Sequence, residues 1–210
     1  MRHSNYTLML VLALLALGAG RAGAQTAVSV SARIGDFHVA VANYYHVPER
    51  EVIVIRERRI PDDEIPVALF IARHARVPSD QVVAMRLRGV PWWDISVRFG
   101  LGPEVYYVPV AVDPGPPYGR ALGHYKKTHR TQWSTIVLTD ADIINLVELR
   151  FLSDHYGVAP ERVIALRERD SDFVIIHANI HDSRGRGDRD DDNGQGRDSH
   201  SKGKGKHRGN

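Results

Sequence analysis

The 210-residue chain contains no cysteine. Disulfide bonds, thiolate metal sites and a lipid anchor on an N-terminal cysteine are therefore excluded. The sequence also lacks the nucleophile motif Gly-x-Ser-x-Gly, the zinc motif His-Glu-x-x-His and a phosphate-binding glycine loop. No apolar run outside the N-terminus approaches the length that a membrane-spanning helix needs. The motifs therefore do not favour an enzyme, and the informative features are the N-terminus, the charges and a repeat.

The N-terminus predicts a signal peptide over residues 1–24. Arg2 and His3 form a short positive start, and residues 8–17 form an apolar run of the length typical of a signal-peptide core. Ala22-Gly23-Ala24 then provides the small residues that signal peptidase accepts. We predict cleavage before Gln25 and export to the periplasm or beyond. An uncleaved N-terminal anchor is the alternative.

The charges are unevenly distributed along the chain. The formal net charge is +3, and loss of Arg2 and Arg21 with the signal peptide leaves +1. Residues 182–210 carry eight basic and six acidic residues, so residues 25–181 have a net charge of −1. A folded region without excess positive charge does not favour nucleic-acid binding.

Three segments of the chain repeat one another without gaps. They are "YHVPEREVIVIRERRIP" from Tyr45, "ARVPSDQVVAMRLRGVP" from Ala75 and "YGVAPERVIALRERDSD" from Tyr156. An apolar-periodic segment precedes each copy, so one unit reads as a long helix, a turn and a short helix. Such a pair cannot bury its own apolar face, and neighbouring units must stack. We therefore predict a mainly α fold of stacked helical-hairpin repeats, over residues 25–100 and 136–181.

Helix-end signals support the boundaries of these units. Thr139 and Asp142 resemble a capping box, and Gly89 is placed to end a short helix. A third unit begins at Pro91, but Gly and Pro residues soon interrupt it. A proline lies near the first turn of each short helix, where a missing N–H costs nothing: Pro48, Pro78 and Pro160.

The segment from Val77 to Ser96 also fits a helix-turn-helix, which is the second alternative for function. Gly89 would make the turn, and arginines precede it. Trp92 and Trp93, however, head the helix that would read the bases, where polar side chains are needed. The stacked repeat is therefore the preferred interpretation, and nucleic acid is not the expected partner.

The remaining segments differ in composition. Residues 101–135 form a Pro- and Gly-rich insertion that we predict as a loop, followed by a basic and aromatic stretch. One or two short strands are predicted, in the apolar run after Trp133 and in the β-branched segment from Asp172 to Ile180. Residues 182–210 contain no large apolar side chain, which predicts a disordered charged tail.

Two groups of residues are candidates for a site. His177 and His181 are four apart and could bind a metal, which would make the protein a metal-dependent enzyme or metal-binding factor. No third ligand is evident, so no cofactor is predicted. Basic residues could instead bind an envelope protein or a polyanionic envelope component. These are Arg56, Arg58, Arg86, Arg88, Arg167, Arg169, Lys126 and Lys127. The same arginines could simply stabilise the ends of the short helices.

Two segments carry a resemblance. "PPYGRALGHYKK" from Pro116 and "IINLVELRFLSDHYGVAPERVIALR" from Ile143 resemble segments of small exported bacterial proteins that have no assigned activity. The resemblance implies a bacterial envelope setting and transfers no functional residue. With the repeat, it leads us to expect an exported, non-catalytic binding or structural protein of the bacterial cell envelope.

Overall fold

The computed structural model describes residues 19–111, 114–170 and 172–194, with side chains from residue 31 to residue 184 within those ranges. The fold is mainly α, as predicted, and the described residues contain no β-strand. The α-helices are α1 Ala19–Tyr45, α2 Glu49–Glu57, α3 Ile65–Ala75, α4 Ser79–Leu87, α5 Trp92–Arg98, α6 Tyr118–Lys127, α7 Asp140–Tyr156, α8 Pro160–Arg167 and α9 Phe173–Gly194. Short 3-10 helices lie at Asp62–Glu64, Pro103–Tyr106 and Arg130–Thr135.

The three sequence repeats form three helical hairpins with the same turn. The hairpins are α1–α2, α3–α4 and α7–α8. The long helix of each ends at a residue in the left-handed region, with φ of 58°, 57° and 59° at His46, Arg76 and Gly157. The valine that follows donates its N–H to the carbonyl five residues earlier, at 3.0 to 3.1 Å in all three copies. This bond satisfies a carbonyl that the helix end leaves open.

The hairpins stack around α3 and α7. Every residue from Ile65 to Ala72 in α3 is buried, and α3 packs against both α4 and α7. Helix α1 packs against α2, α7 and α9. Phe37 of α1 meets Phe151 of α7 edge-on at 5.9 Å between ring centroids. The apolar face that each hairpin cannot cover alone is thus buried by its neighbours, as the repeat predicted.

The interrupted third unit is present in shortened form. Helix α5 ends at Arg98, and Gly100 takes the left-handed conformation with φ of 73°. The Leu101 N–H then donates to the Ser96 carbonyl at 2.9 Å, which repeats the hairpin turn. The 3-10 helix at Pro103–Tyr106 occupies the place of the short helix.

The predicted loop in the insertion is wrong over residues 118–127, which form α6. Tyr118, Ala121, Leu122 and Tyr125 recur at helical spacing and are all buried. Helix α6 packs against α7, so this apolar stripe offsets the weak helix propensity of Gly119 and Gly123.

The predicted strands are also wrong. The apolar run after Trp133 has no regular secondary structure over residues 136–139, and Trp133 itself lies in a 3-10 helix, where its indole N–H donates to the Thr128 carbonyl at 3.1 Å and to the Tyr125 carbonyl at 3.3 Å. The β-branched segment from Phe173 is helical in α9, because Phe173, Ile176 and Ile180 bury one helical face. Tertiary packing overrides the β-propensity of these residues.

Both termini extend the fold beyond the predicted boundaries. Helix α1 begins at Ala19 and passes through the predicted cleavage position at Gln25. Helix α9 continues to Gly194, past the predicted start of the tail at residue 182. The whole predicted signal-peptide core, residues 8–17, and residues 195–210 of the tail lie outside the described residues. Among the described helices, none combines the length and apolarity that crossing a bilayer requires.

Candidate binding cleft

A cleft of about 480 Å³ opens where α1, the 3-10 helix at Asp62–Glu64 and the start of α9 meet. This volume lies within the range typical of small-molecule sites. Its acidic side chains come from two segments far apart in sequence, and its apolar side chains come from both helices. The lining residues are Arg33, Ile34, Asp62, Asp63, Asp172, Phe173, Val174 and Ile175.

The three aspartates of the cleft differ in their partners. Asp62 Oδ1 lies 2.7 Å from His38 Nε2 and 3.3 Å from Arg56 Nε, so the Arg56 guanidinium partly neutralises the charge of Asp62. Asp172 Oδ1 accepts the Val174 N–H at 2.8 Å and so caps the start of α9. Asp63 and Asp172 are both exposed. The negative charge that a ligand would meet therefore belongs mainly to these two.

The Asp63 carboxyl lies in an acidic environment. Partial burial raises its pKa above the usual value, and the charges of Glu64, Asp62 and Asp172 raise it further, while its own backbone N–H lowers it. Like charges close together favour protonation of one of them, or the binding of a cation. The cleft is thus a region of negative potential.

Glu148 is a buried carboxyl on α7, a helix that packs against both the 3-10 helix at Asp62–Glu64 and α9. It lies on α7 with 0% of its surface exposed, and neither carboxylate oxygen has a hydrogen-bond partner within the described part of the chain. Burial raises its pKa well above the usual value, Asp63 and Asp172 raise it further, and Arg167 opposes them. Burying such a group without a partner is costly, so its retention requires an explanation.

Arg86, one of the predicted binding residues, links α4 to the 3-10 helix at Asp62–Glu64 and to α7. Its Nε and Nη2 donate to the two carboxylate oxygens of Glu64 at 2.7 Å each, and its Nη1 donates to Asp140 at 2.6 Å. The guanidinium also lies 4.8 Å from the centroid of the Trp92 ring. A bidentate contact between a guanidinium and a carboxylate fixes the relative orientation of the two side chains as well as pairing their charges.

The first arginine of each of the other pairs makes fewer and longer contacts, and Nε and Nη1 of Arg167 are buried without a hydrogen-bond partner among the described residues. Arg167 donates to Asn145 at 3.4 Å, the position in its hairpin that corresponds to Glu64, and lies 4.3 Å from the Phe173 ring centroid. Arg56 makes the Asp62 contact described above. The first arginine of each pair therefore joins its short helix to another element of the fold.

The other predicted binding residues do not line the cleft. Arg58 forms an ion pair with Asp80 at 2.9 Å, which joins the first hairpin to the second. The remaining four are exposed: Arg88, Arg169, Lys126 and Lys127. They lie on three different segments, α6 and the ends of α4 and α8.

The two candidate metal ligands differ strongly in environment. His177 is 1% exposed, and its Nε2 lies 2.7 Å from the hydroxyl of Tyr156. Burial lowers the pKa of His177 to about 4, with further lowering by His181 and His155. His181 is exposed, and its ring centroid lies 6.2 Å from that of His177. Nowhere in the described chain do three or more potential ligands converge as a metal site.

The burial of Trp92 and the contacts of Arg86 bear on the helix-turn-helix alternative. Trp92, at the head of the helix that would read the bases, is 0% exposed. Arg86, which precedes the turn, is held by two carboxylates. A recognition helix needs its leading side chain free to reach base edges, and the buried Trp92 is not free to do so.

Sequence reasoning missed the cleft. Asp63, Asp172 and Glu148 were not among the candidates. The available signal was Glu148 itself, since it stands among Leu146, Val147 and Leu149 in a helix that is apolar on several faces.

Comparison of the chain with protein-family models, curated proteins and solved structures found no match. The resemblance to small exported proteins therefore stays a prediction.

Proposed function

We propose that the chain is an exported, non-catalytic binding or structural protein of the bacterial cell envelope, and that it binds through the acidic cleft. The observation that carries the binding role is the cleft of about 480 Å³ with the exposed carboxylates of Asp63 and Asp172 in its lining. Stacked repeats support this role, because each unit holds its neighbour in place and the surfaces between them can vary. The signal-peptide pattern of residues 1–24 supports export.

Export is tested by fractionating cells that express the full chain. We expect the protein in the periplasmic or extracellular fraction, with an N-terminal sequence beginning at Gln25. Cleavage there removes only the first turns of α1 and leaves the part that lines the cleft. Recovery of an uncleaved chain from the cytosol would contradict the proposal.

The binding role is tested by cross-linking capture from the native envelope with the mature chain. The decisive variant is the double substitution Asp63→Asn, Asp172→Asn, which removes two charges from the cleft and keeps the shape of both side chains. The matched control is Asp94→Asn, since Asp94 is exposed on α5 beside a different groove. Capture that the double variant loses and the control keeps supports the proposal. Capture that all three share would place the function outside the cleft.

A further inference from the structure

We infer that the protein has a second, oppositely charged interaction surface, formed by α6 and the 3-10 helix at Arg130–Thr135, and that this surface binds a bilayer containing anionic lipids. The inference goes beyond the proposed function, because no residue of α6 or of this 3-10 helix lines the acidic cleft. It follows from the local charge, the outward side of α6 and one exposed valine.

Residues 114–139 contain basic residues but no aspartate or glutamate. The two arginines and two lysines of this segment are all exposed, and together they are the basic surface: Arg120, Lys126, Lys127 and Arg130. Residues 25–181 as a whole have a net charge of −1. Attraction for an anionic partner therefore belongs to this segment and not to the folded region in general.

Helix α6 turns one side to the core and the other to solvent. Its buried stripe runs from Tyr118 to Tyr125 and packs on α7. Arg120 and Lys127 are seven residues apart, so they share another side of the helix and lie about 10.5 Å apart along its axis. Neither makes a hydrogen bond or an ion pair within the described part of the chain. A single small anion cannot contact both, whereas an array of anionic groups can.

The 3-10 helix extends the basic surface past the end of α6. The Trp133 indole donates to two carbonyls at the end of α6, which holds the 3-10 helix there. Arg130 begins this 3-10 helix, and its guanidinium lies 5.4 Å from the centroid of the Trp133 ring. Arg130 is therefore held beside the last turn of α6, where Lys126 and Lys127 lie.

Val137 gives the same region an apolar component. It is 65% exposed, although Ile136 and Leu138 on either side of it are buried. The Ile136 N–H donates to the Trp133 carbonyl at 2.9 Å, which keeps Val137 close to the 3-10 helix. A linear polyanion gains nothing from such a side chain, whereas a bilayer can take it into the interfacial region. Basic residues with an exposed valine beside them therefore favour a lipid surface over a polyanionic chain.

Glu104 opposes an anionic partner. It is exposed on the 3-10 helix at Pro103–Tyr106, which packs against the 3-10 helix of the basic surface. Replacement of Glu104 by glutamine is therefore expected to strengthen binding to anionic lipid. A general loss of structure would not produce this increase.

The test is co-sedimentation of the mature chain with phosphatidylcholine vesicles that contain about 30% phosphatidylglycerol, and with vesicles of phosphatidylcholine alone. At about 50 mM salt we expect binding to the anionic vesicles only, and at about 500 mM salt we expect this binding to be lost because the charges are screened. The decisive variant should bind at least about tenfold more weakly. It combines Arg120→Gln, Lys126→Gln, Lys127→Gln and Arg130→Gln.

The matched control changes the net charge by the same amount at exposed arginines on other elements. It combines Arg50→Gln, Arg88→Gln, Arg98→Gln and Arg169→Gln, and it should bind within about twofold of the wild type. Circular dichroism shows whether each variant retains the fold.

Two single substitutions keep the test decisive if the fourfold variant does not fold. Val137→Ser should weaken binding about threefold, and Glu104→Gln should strengthen it. Val97→Ser is the control for the valine, since Val97 is 55% exposed on α5, and it should bind as the wild type does.

The C-terminal lysines are a separate source of positive charge in the mature chain. A variant with Lys202→Ser, Lys204→Ser and Lys206→Ser should keep its binding to the anionic vesicles. Loss of binding in this variant would overturn the inference, because the C-terminal segment would then be the part that meets the lipid.

Several other results would also overturn the inference. They are equal binding to the two kinds of vesicle, equal weakening in the matched control and the decisive variant, and weaker binding of folded Glu104→Gln. Binding of long-chain polyphosphate through the basic surface, without binding to anionic vesicles, would identify a linear polyanion instead. These variants leave Asp63 and Asp172 in place, so envelope capture through the cleft succeeds or fails independently of the lipid test.

Discussion

The buried imidazole of His177 should make the stability of the protein depend on pH. The side chain packs edge-on against Phe37 at 5.5 Å between ring centroids and contacts the Tyr156 hydroxyl. Its pKa is lowered from 6.5 to about 4, chiefly because burial disfavours the charged form and then because His181 and His155 repel it. The perturbation is His177→Gln, which keeps a polar group in reach of Tyr156 and cannot be protonated.

The direction and size of the effect follow from the two pKa values. Above pH 6.5 the folded and the unfolded chain both hold a neutral His177. As the pH falls from there toward 4, only the unfolded chain takes up the proton, so folding is progressively destabilised. The loss is about 2 kcal/mol near pH 5 and levels off at about 3 kcal/mol below the folded-state pKa.

The assay is urea unfolding followed by far-UV circular dichroism at about pH 7.5 and about pH 5. His177→Gln should lose about 2 kcal/mol less between these conditions than the wild type does. His124→Gln, on α6, is the control and should behave as the wild type. Equal pH dependence in the wild type and His177→Gln would refute the argument, as would an imidazole titration near pH 6.5 in the folded protein.

Three further predictions concern the scaffold, and urea unfolding at neutral pH checks each. Arg86→Ala leaves two carboxylates without their shared partner and should lower the free energy of unfolding by about 2 kcal/mol, whereas Arg88→Ala, at an exposed position, should lower it by less than about 0.5 kcal/mol. Equal losses in the two variants would contradict a stabilising role for the Arg86 contacts. Thr139→Ala removes the capping box of α7 and should cost about 1 kcal/mol, and an unchanged midpoint would show that the cap is dispensable. Gly157→Ala places a side chain at φ of 59° and should lower the free energy of unfolding by about 1 kcal/mol, although nothing lies within 4 Å of the added atom. A variant more stable than the wild type would show that backbone strain at this position is not destabilising.

The hairpins could be predicted from the sequence because their signals are local. A left-handed residue, a valine and a proline or alanine recur at the same positions, and the hydrogen bond that closes each turn spans only five residues. The capping box at Thr139 was recognised for the same reason, and it is present. Stacking followed from the uncovered apolar face of each unit.

The errors occurred where packing outweighed local preference. Helix α6 contains Gly119 and Gly123, and its sequence neighbours are prolines, so composition favoured a loop. The start of α9 is rich in β-branched residues, which favoured a strand. In both cases a buried stripe at helical spacing, which includes Leu122 in α6 and Ile176 in α9, determined the outcome.

The sequence by itself determined the hairpin units, their turns and the mainly α class. The tertiary structure decided what the charged residues do. It directed Arg86 to carboxylates 22 residues before it and 54 residues after it, and it placed Asp63 and Asp172 at one cleft. Local signals act through the backbone within a turn or two of the chain. The charge and burial of a side chain depend on segments that only the folded chain brings together, so the cleft could not be read from the sequence alone.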